Sequence, residues 1–283
     1  MKQEKIGTLY VVATPIGNLE DITLRALRIL KEVDCVLCED KRVTAKLLNR
    51  YQIKTKLISF HKFNESKSIA DIVSLISSGK NIALVSDGGT PLISDPGSNL
   101  ISVLIKNNIK IFSIPGPSAL TSAFAISPFV GNEFLFLGFL PSQKSKREEI
   151  ISSLKERSKV AILFVAPHDL NKYLLEIQSF YSDIEVSYAR ELTKIYEEHW
   201  LGKINNLIEL VEKKKLKGEI VLFLYFNNAP LVSLDSDVIV NEMKSYISSG
   251  SSLKDASKII AKKVNLSSKS LYNLYLKAKS CKP

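Results

Sequence analysis

Asp87 and Asp95 stand in the segment SDGGTPLISDPGS (residues 86–98), surrounded by Gly88, Gly89, Pro91, Pro96 and Gly97. Two carboxylates in one turn-rich loop suggest a hard cation first. No third acidic ligand is fixed nearby, and aspartate in Gly/Pro turns is ordinary turn chemistry. The loop therefore reads as holding no metal. A phosphate cradle needs G-x-x-x-x-G-K-[ST], which is missing, and Asp87 has the wrong sign for phosphate. TPIGNL (residues 14–19) also lacks the G-x-G-x-x-G of a dinucleotide site. Gly88 and Gly89 let backbone approach a bulky ligand. An aspartate at that edge suits hydroxyl or ammonium groups, so the loop reads as a site for an organic molecule carrying them.

A second pattern, Cys35-x-x-Cys38 in EVDCVLCED, invites a redox or zinc reading. The segment has strand character, where residues three apart point to opposite faces. A structural zinc site also wants four ligands, and no second Cys/His pair of suitable spacing is present. Cys35 and Cys38 read as buried thiols in a reducing compartment, with Cys281 near the end of the chain.

The elements that must position these loops alternate. GTLYVVATP, DCVLCED, KLISFH, NIALVS and IKIFSIPGP read as strands. The helices between them include LEDITLRALRILKEV, with Leu24, Leu27, Ile29 and Leu30 as its apolar set. Such alternation implies an α/β fold with a largely parallel sheet covered on both faces. Ligands of these sheets sit beyond the carboxyl ends of the strands. TPIGN, CEDKR, SFHKFNE, SDGGTP and PGPSA all fall there. From residue 132 the strands pair more closely, which predicts a mixed sheet. The junction falls in the Gly/Pro-bearing stretch around residues 115–131. After a loop-like linker, SLKDASKIIAKKVNLSSKSLYNLYLKAK reads as two short helices meeting at NLSS, with Ser267 or Ser268 as cap.

At 283 residues the chain is comfortable for two domains. It carries 39 Lys and Arg against 29 Asp and Glu, a net charge of +10 that favours a polyanionic partner. EKKKLKGE (residues 212–219) alone reads as a solvated helix end. No signal peptide is evident and no stretch approaches the ~20 apolar residues of a membrane span, which predicts a cytoplasmic protein with no membrane partner.

Seven segments in order carry a resemblance: GTLYVVATPIGNLEDITLRAL, CEDKRVTAKLL, FHKFNE, SDGGTPLISDPGS, IPGPSALTSA, GFLPSQKSKR and ARELTKIYEE. Together they resemble the tetrapyrrole-methylase-like superfamily of S-adenosylmethionine (SAM) methyltransferases. The likeness is to its branch that 2'-O-methylates a cytidine of 16S rRNA, in the decoding region of the small ribosomal subunit. It implies two α/β domains of that class III fold, residues 1–116 and 117–230, with SAM in the cleft between them. Residues 231–283 would form the linker and a small helical domain, and the protein would be a homodimer. Pro15 and Ile16 would flank the cofactor. Asp87, Gly88, Gly89 and Thr90 would hold its methionine and ribose end. Ser118 and Ala119 would bind it through backbone and hydroxyl, with Phe164 and Val165 on the adenine side. This chain departs from the family at Lys41, where EDTR becomes EDKR. It departs again in VAPHD, which keeps Pro167 and His168 but lacks the family's acid and arginine.

A ribose 2'-hydroxyl is a weak acid, so a nearby base, or a cation stabilising the alkoxide, should help. The candidates at the strand-end edge are Glu39, Asp40, His61, Glu65, Arg190 and Glu191, with Lys41, Arg42 and Lys194 as further cations. Each has a structural alternative: Glu39 or Asp40 as helix cap, His61 with Asn64 and Glu65 as a hydrogen-bonded loop, and Arg190 with Glu191 as a pair. PSQKSKRE (residues 141–148) reads as a basic loop that reaches RNA or else as a solvated connector. The competing readings of the whole chain are a tetrapyrrole methyltransferase of the same fold and a non-catalytic RNA-binding protein.

Overall fold

The computed structural model describes residues 6–128, 133–214, 216–226, 236–264 and 268–280. Its first half holds β1 (Thr8–Val12), α1 (Leu24–Glu32), β2 (Cys35–Cys38), α2 (Lys41–Arg50), β3 (Lys56–Ser59), α3 (Glu65–Ser77), β4 (Ile82–Leu84), α4 (Ser98–Lys106), β5 (Lys110–Ile114) and α5 (Ala119–Ala125). All pairings in this sheet are parallel, in the order β3-β2-β4-β1-β5. Alternation along the strands feeds two cores. Leu9, Val11, Cys35 and Leu37 face Ile72, Ile76, Leu100 and Leu104 of α3 and α4. Val12, Val36 and Cys38 face Ala26, Leu30, Leu47 and Leu48 of α1 and α2. The two cysteines thus sit on opposite faces, and burial pushes both thiols up.

In α1 the expected apolar set holds at Leu27, Ile29 and Leu30 but not at Leu24. The Thr23 hydroxyl caps the helix by accepting from the Ala26 amide at 3.1 Å. Leu24 is then the first helical residue and projects into solvent, 87% exposed, while Ala26, Ile29 and Leu30 are buried.

The second half contributes β6 (Leu135–Phe139), α6 (Lys144–Ser152), α7 (Leu154–Arg157), β7 (Val160–Val165), α8 (Leu170–Phe180), β8 (Glu185–Arg190), β9 (Glu198–Lys203), α9 (Ile204–Lys213) and β10 (Ile220–Tyr225). This sheet is mixed, in the order β6-β7-β10-β8-β9, with only β6 and β7 parallel. Helices α6 to α9 cover one face around Leu163, Leu174, Leu207 and Leu222. The other face, built on Ile162, Val221 and Phe223, packs against Ala123 and Phe124 of α5 and Ile16 from the loop after β1. The second sheet therefore packs on α5 and on the loop after β1.

Residues 144–152 are helical rather than a loop, and Arg147 points inward with no exposed surface. That removes it from any RNA face, while Lys144 and Lys146 remain exposed. At the C-terminal end α10 (Ser236–Ser248), α11 (Leu253–Val264) and α12 (Ser268–Ser280) pack around Ile239, Met243, Ile260 and Leu271. The first of these three helices falls partly where the sequence reads as linker. Ser267 lies outside the described residues, and Ser268 opens α12.

Candidate active site

The carboxyl ends of β1 and β4 are zipped together just beyond the sheet. Thr14 and Gly89 exchange backbone hydrogen bonds of 2.9 and 2.8 Å. The Thr14 hydroxyl donates to Ser86 O at 3.2 Å, and the Thr90 hydroxyl to Pro117 O at 3.1 Å. Gly89 has φ +89°, a region open mainly to glycine, and a Cβ on Gly88 would stand 3.2 Å from Pro15 O. Two non-glycine residues further on, Leu92 (φ 74°) and Ser94 (φ 72°), also hold left-handed backbone. Strain of this kind persists where surrounding contacts over-determine the loop. One such contact reaches the second sheet, since a Cβ on Gly138 of β6 would lie 2.7 Å from Ser94 Oγ.

These loops wall a cavity of 590 Å³ between the two sheets. Asp87, Gly88 and Asp95 form one side, while Ile16, Phe164 and Val221 supply apolar surface. Ala119 and Val165 also line it, whereas Pro15, Gly89, Thr90 and Ser118 are not part of its lining. Ser118 is buried at the start of α5 and its carbonyl accepts from the Ser122 amide at 2.9 Å. Asp95, which reads from sequence as a plain turn residue, is part of the wall. So are Gly218 and Glu219 just before β10, which the sequence reads as part of a solvated helix end.

Carboxylates converge here. Asp87 Oδ1 accepts from the Asp40 amide at 3.0 Å, tying the β4 loop to the start of α2. Burial and the Asp87 charge raise the Glu39 pKa, and His61 opposes them. Burial pushes Asp95 up to about 6, helped by the charges of Glu39 and Asp87 and opposed by a hydrogen bond from Ser86. Among the described residues, His61 Nδ1 is buried without a hydrogen-bond partner. Of the acid/base candidates, Glu39 and His61 lie near one another, and Glu39 feels the charge of Asp87 in the cavity wall, although neither lines the cavity itself. Also among the described residues, no group of three or more His, Cys, Asp or Glu side chains could hold a metal ion.

The raised Asp95 pKa has a stability consequence. Its folded value lies above its ordinary 3.8, so the native state binds more protons than the unfolded chain between that value and about 6. Stability therefore falls as pH rises through this window, and the whole penalty is present above it. Asp95→Asn should raise stability at pH 8 by about 1–2 kcal/mol, with the gain vanishing near pH 4, as read from urea midpoints at several pH values.

The remaining candidates have structural partners. Asp40 caps α2, accepting from the Arg42 amide at 2.7 Å and pairing with its guanidinium at 2.6 Å, which holds its pKa at about 2. Glu65 is buried, and its Oε1 accepts from the Asn99 and Leu100 amides at 3.2 and 3.4 Å. It thereby supplies the cap that Gly97 cannot give α4. Glu65→Ala should cost about 1–2 kcal/mol, visible as a lower urea midpoint, and Glu65→Gln should recover most of it. Arg190 donates to Glu198 at 3.1 Å and to Lys217 O at 2.9 Å. Glu191 pairs with Lys194 at 2.9 Å and accepts from the Glu219 amide at 3.1 Å. This network braces the 217–219 lip of the cavity. Thr193 Oγ1 in turn accepts from the Asn18 amide at 3.0 Å, joining the loop to the one after β1.

This pairing of a parallel with a mixed sheet is a fold shared with known methyltransferases. The family model for Tetrapyrrole (Corrin/Porphyrin) Methylases matches residues 8–208. Among solved structures, a uroporphyrin-III C-methyltransferase of Thermus thermophilus complexed with S-adenosylhomocysteine aligns with a TM-score of 0.57 at 15% identity, over 77% of this chain and 97% of that one. The cobalamin biosynthetic enzyme cobalt precorrin-4 methyltransferase aligns with a TM-score of 0.58 at 16% identity, over 76% and 94%. Curated relatives are nearer. Ribosomal RNA small subunit methyltransferase I of Thermotoga maritima is 48% identical over 219 residues, 77% of this chain and 98% of that protein. The Bacillus subtilis protein of the same name is 37% identical over 275 residues, 95% of this chain and 94% of its own. The chain belongs to the tetrapyrrole methylases and, within them, to the ribosomal RNA small subunit methyltransferase I family.

Proposed function

We propose that this chain transfers a methyl group from SAM to the ribose 2'-hydroxyl of a cytidine in 16S rRNA, in the decoding region of the small ribosomal subunit. The observation that carries the reading is the pair Asp87 and Asp95 in the wall of one largely apolar cavity, with Glu39 close enough for its charge to act on Asp95 and to feel Asp87. Such a wall favours a ligand with both cationic groups and a flat apolar part, which SAM has. The names of the relatives support rRNA as acceptor, and the net charge of +10 suits an RNA backbone.

When bound, SAM supplies an electrophilic methyl. Asp87 and Asp95 would accept from its ammonium and ribose hydroxyls, and Ile16 and Phe164 would supply apolar surface for its flat part. The absence of a side chain at Gly88 would leave room for the cofactor to approach the backbone, and alignment is the larger share of what a protein contributes to such a transfer. Glu39, made more basic by burial and by Asp87, takes the 2'-hydroxyl proton onto its carboxylate. The division into residues 1–116, 117–230 and 231–283, action as a homodimer and a cytoplasmic location belong to the same reading. Among the described residues no helix is long and apolar enough to cross a membrane.

The test offers methyl-labelled SAM with either unmodified small ribosomal subunits or uroporphyrinogen. Label in 16S rRNA is the expected result. Label in the tetrapyrrole alone would move the chain to the chemistry named for its fold neighbours.

A further inference from the structure

The turn between β3 and α3 holds an aromatic ring out in solvent. Phe63 is 92% exposed, against 74% for Tyr196 and 60% for Phe139. The turn is not loose. The His61 amide donates to Asn64 Oδ1 at 2.8 Å, Asn64 Nδ2 donates to Ser59 O at 3.0 Å, and the Asn64 and Glu65 amides both reach His61 O at 3.0 Å. Glu65 anchors the far end through its bonds to α4. A rigid turn that displays a phenyl ring is a surface made for contact.

Its place says what the contact is. The Phe63 ring lies edge-on to His61 at 6.2 Å. His61 in turn is close enough to Glu39 to lower its pKa, and Glu39 feels Asp87 in the cavity wall. The ring thus stands on the acid/base side of the site, at its solvent edge. Lys62 and Lys67 are exposed beside it, and Lys41 is exposed at the start of α2. An unstacked ring among lysines matches single-stranded RNA, whose bases stack on aromatic faces while phosphates meet cations.

We infer that Phe63 is a stacking platform for a base flanking the target nucleotide, with Lys62 and Lys67 on the adjoining phosphates. This rests on the RNA reading given above. It assigns a role in holding the acceptor strand open rather than in the chemistry.

The test uses the full chain with a single-stranded RNA oligonucleotide carrying 2-aminopurine next to a cytidine, and with unmodified small subunits. Wild type should bind the oligonucleotide and quench its fluorescence. Phe63→Ala should weaken binding about tenfold and abolish the quench, while Phe63→Trp keeps both within about twofold. With small subunits Phe63→Ala should raise KM and leave kcat within about threefold, with SAM affinity and thermal midpoint unchanged. If Phe63→Ala binds and quenches like wild type, the platform is refuted and the RNA reading stands. If Phe63→Leu performs as well as Trp, the contact is merely apolar and the stacking claim fails. If wild type binds neither RNA nor subunits, the RNA reading falls and this inference with it.

Discussion

Arg147→Ala is expected to lower stability by about 3 kcal/mol and the thermal midpoint by about 6–12 °C. The guanidinium has no exposed surface and is paired bidentately with Glu176, at 2.7 Å from Nε and 2.6 Å from the terminal nitrogen. Its other terminal nitrogen donates to Pro141 O and Ser142 O at 3.0 and 2.6 Å, and its carbon sits 5.2 Å from the Tyr173 ring centre. Truncation strands a mostly covered carboxylate and two carbonyls at once, which is costlier than losing the attraction alone. Arg147→Lys should rescue little, because a point charge cannot reproduce the planar fork. The pair holds Glu176 below the usual carboxylate range. That stabilisation is therefore present above the ordinary value of 4.5 and lost as pH falls below it, so the gap between wild type and variant should narrow in acid. Thermal melts at pH 7 and pH 4 read both effects. A midpoint within 2 °C of wild type at pH 7 would show that the clamp carries no weight.

Asp87→Asn is expected to weaken SAM binding about tenfold, roughly 1.4 kcal/mol, with little change in stability. The asparagine oxygen can still accept from the Asp40 amide, so the start of α2 and Glu39 stay placed. What disappears is the charge, and hydrogen bonds to charged groups are the stronger ones. Asp87→Ala should lose SAM affinity as well and also loosen the Asp40 contact, so its turnover should fall further. Calorimetric titration with SAM separates the cases. An Asn variant that binds SAM within twofold of wild type would remove Asp87 from the cofactor wall.

Much of this architecture is legible from local pattern. The parallel sheet follows from strands separated by helices, and the opposite faces of Cys35 and Cys38 follow from a period of two. Strand-end loops rich in Gly and Pro mark the edge where the cavity forms. Other features depend on tertiary contact, which no local pattern reports. Arg147 sits in a run of polar residues that reads as solvated, and only the distant Glu176 makes it a buried clamp. Glu65 belongs to a motif that looks chemical, yet its partner is an unmet helix start more than thirty residues on, at Asn99 and Leu100. Asp95 looks like turn chemistry until left-handed backbone at Leu92 and Ser94 brings it to the cavity wall. Gly218 and Glu219 read as part of a solvated helix end, because their place is set by the pairing of β10 with β7 and β8.

The central claim is that this cavity directs methyl transfer to a ribose oxygen of 16S rRNA. The most direct measurement is digestion of labelled 16S rRNA after reaction with methyl-labelled SAM. The label should survive alkaline hydrolysis in a dinucleotide whose 5' residue is cytidine, because a 2'-O-methyl group blocks cleavage of the following phosphodiester. Label released with a single nucleotide or found on a base would contradict the account.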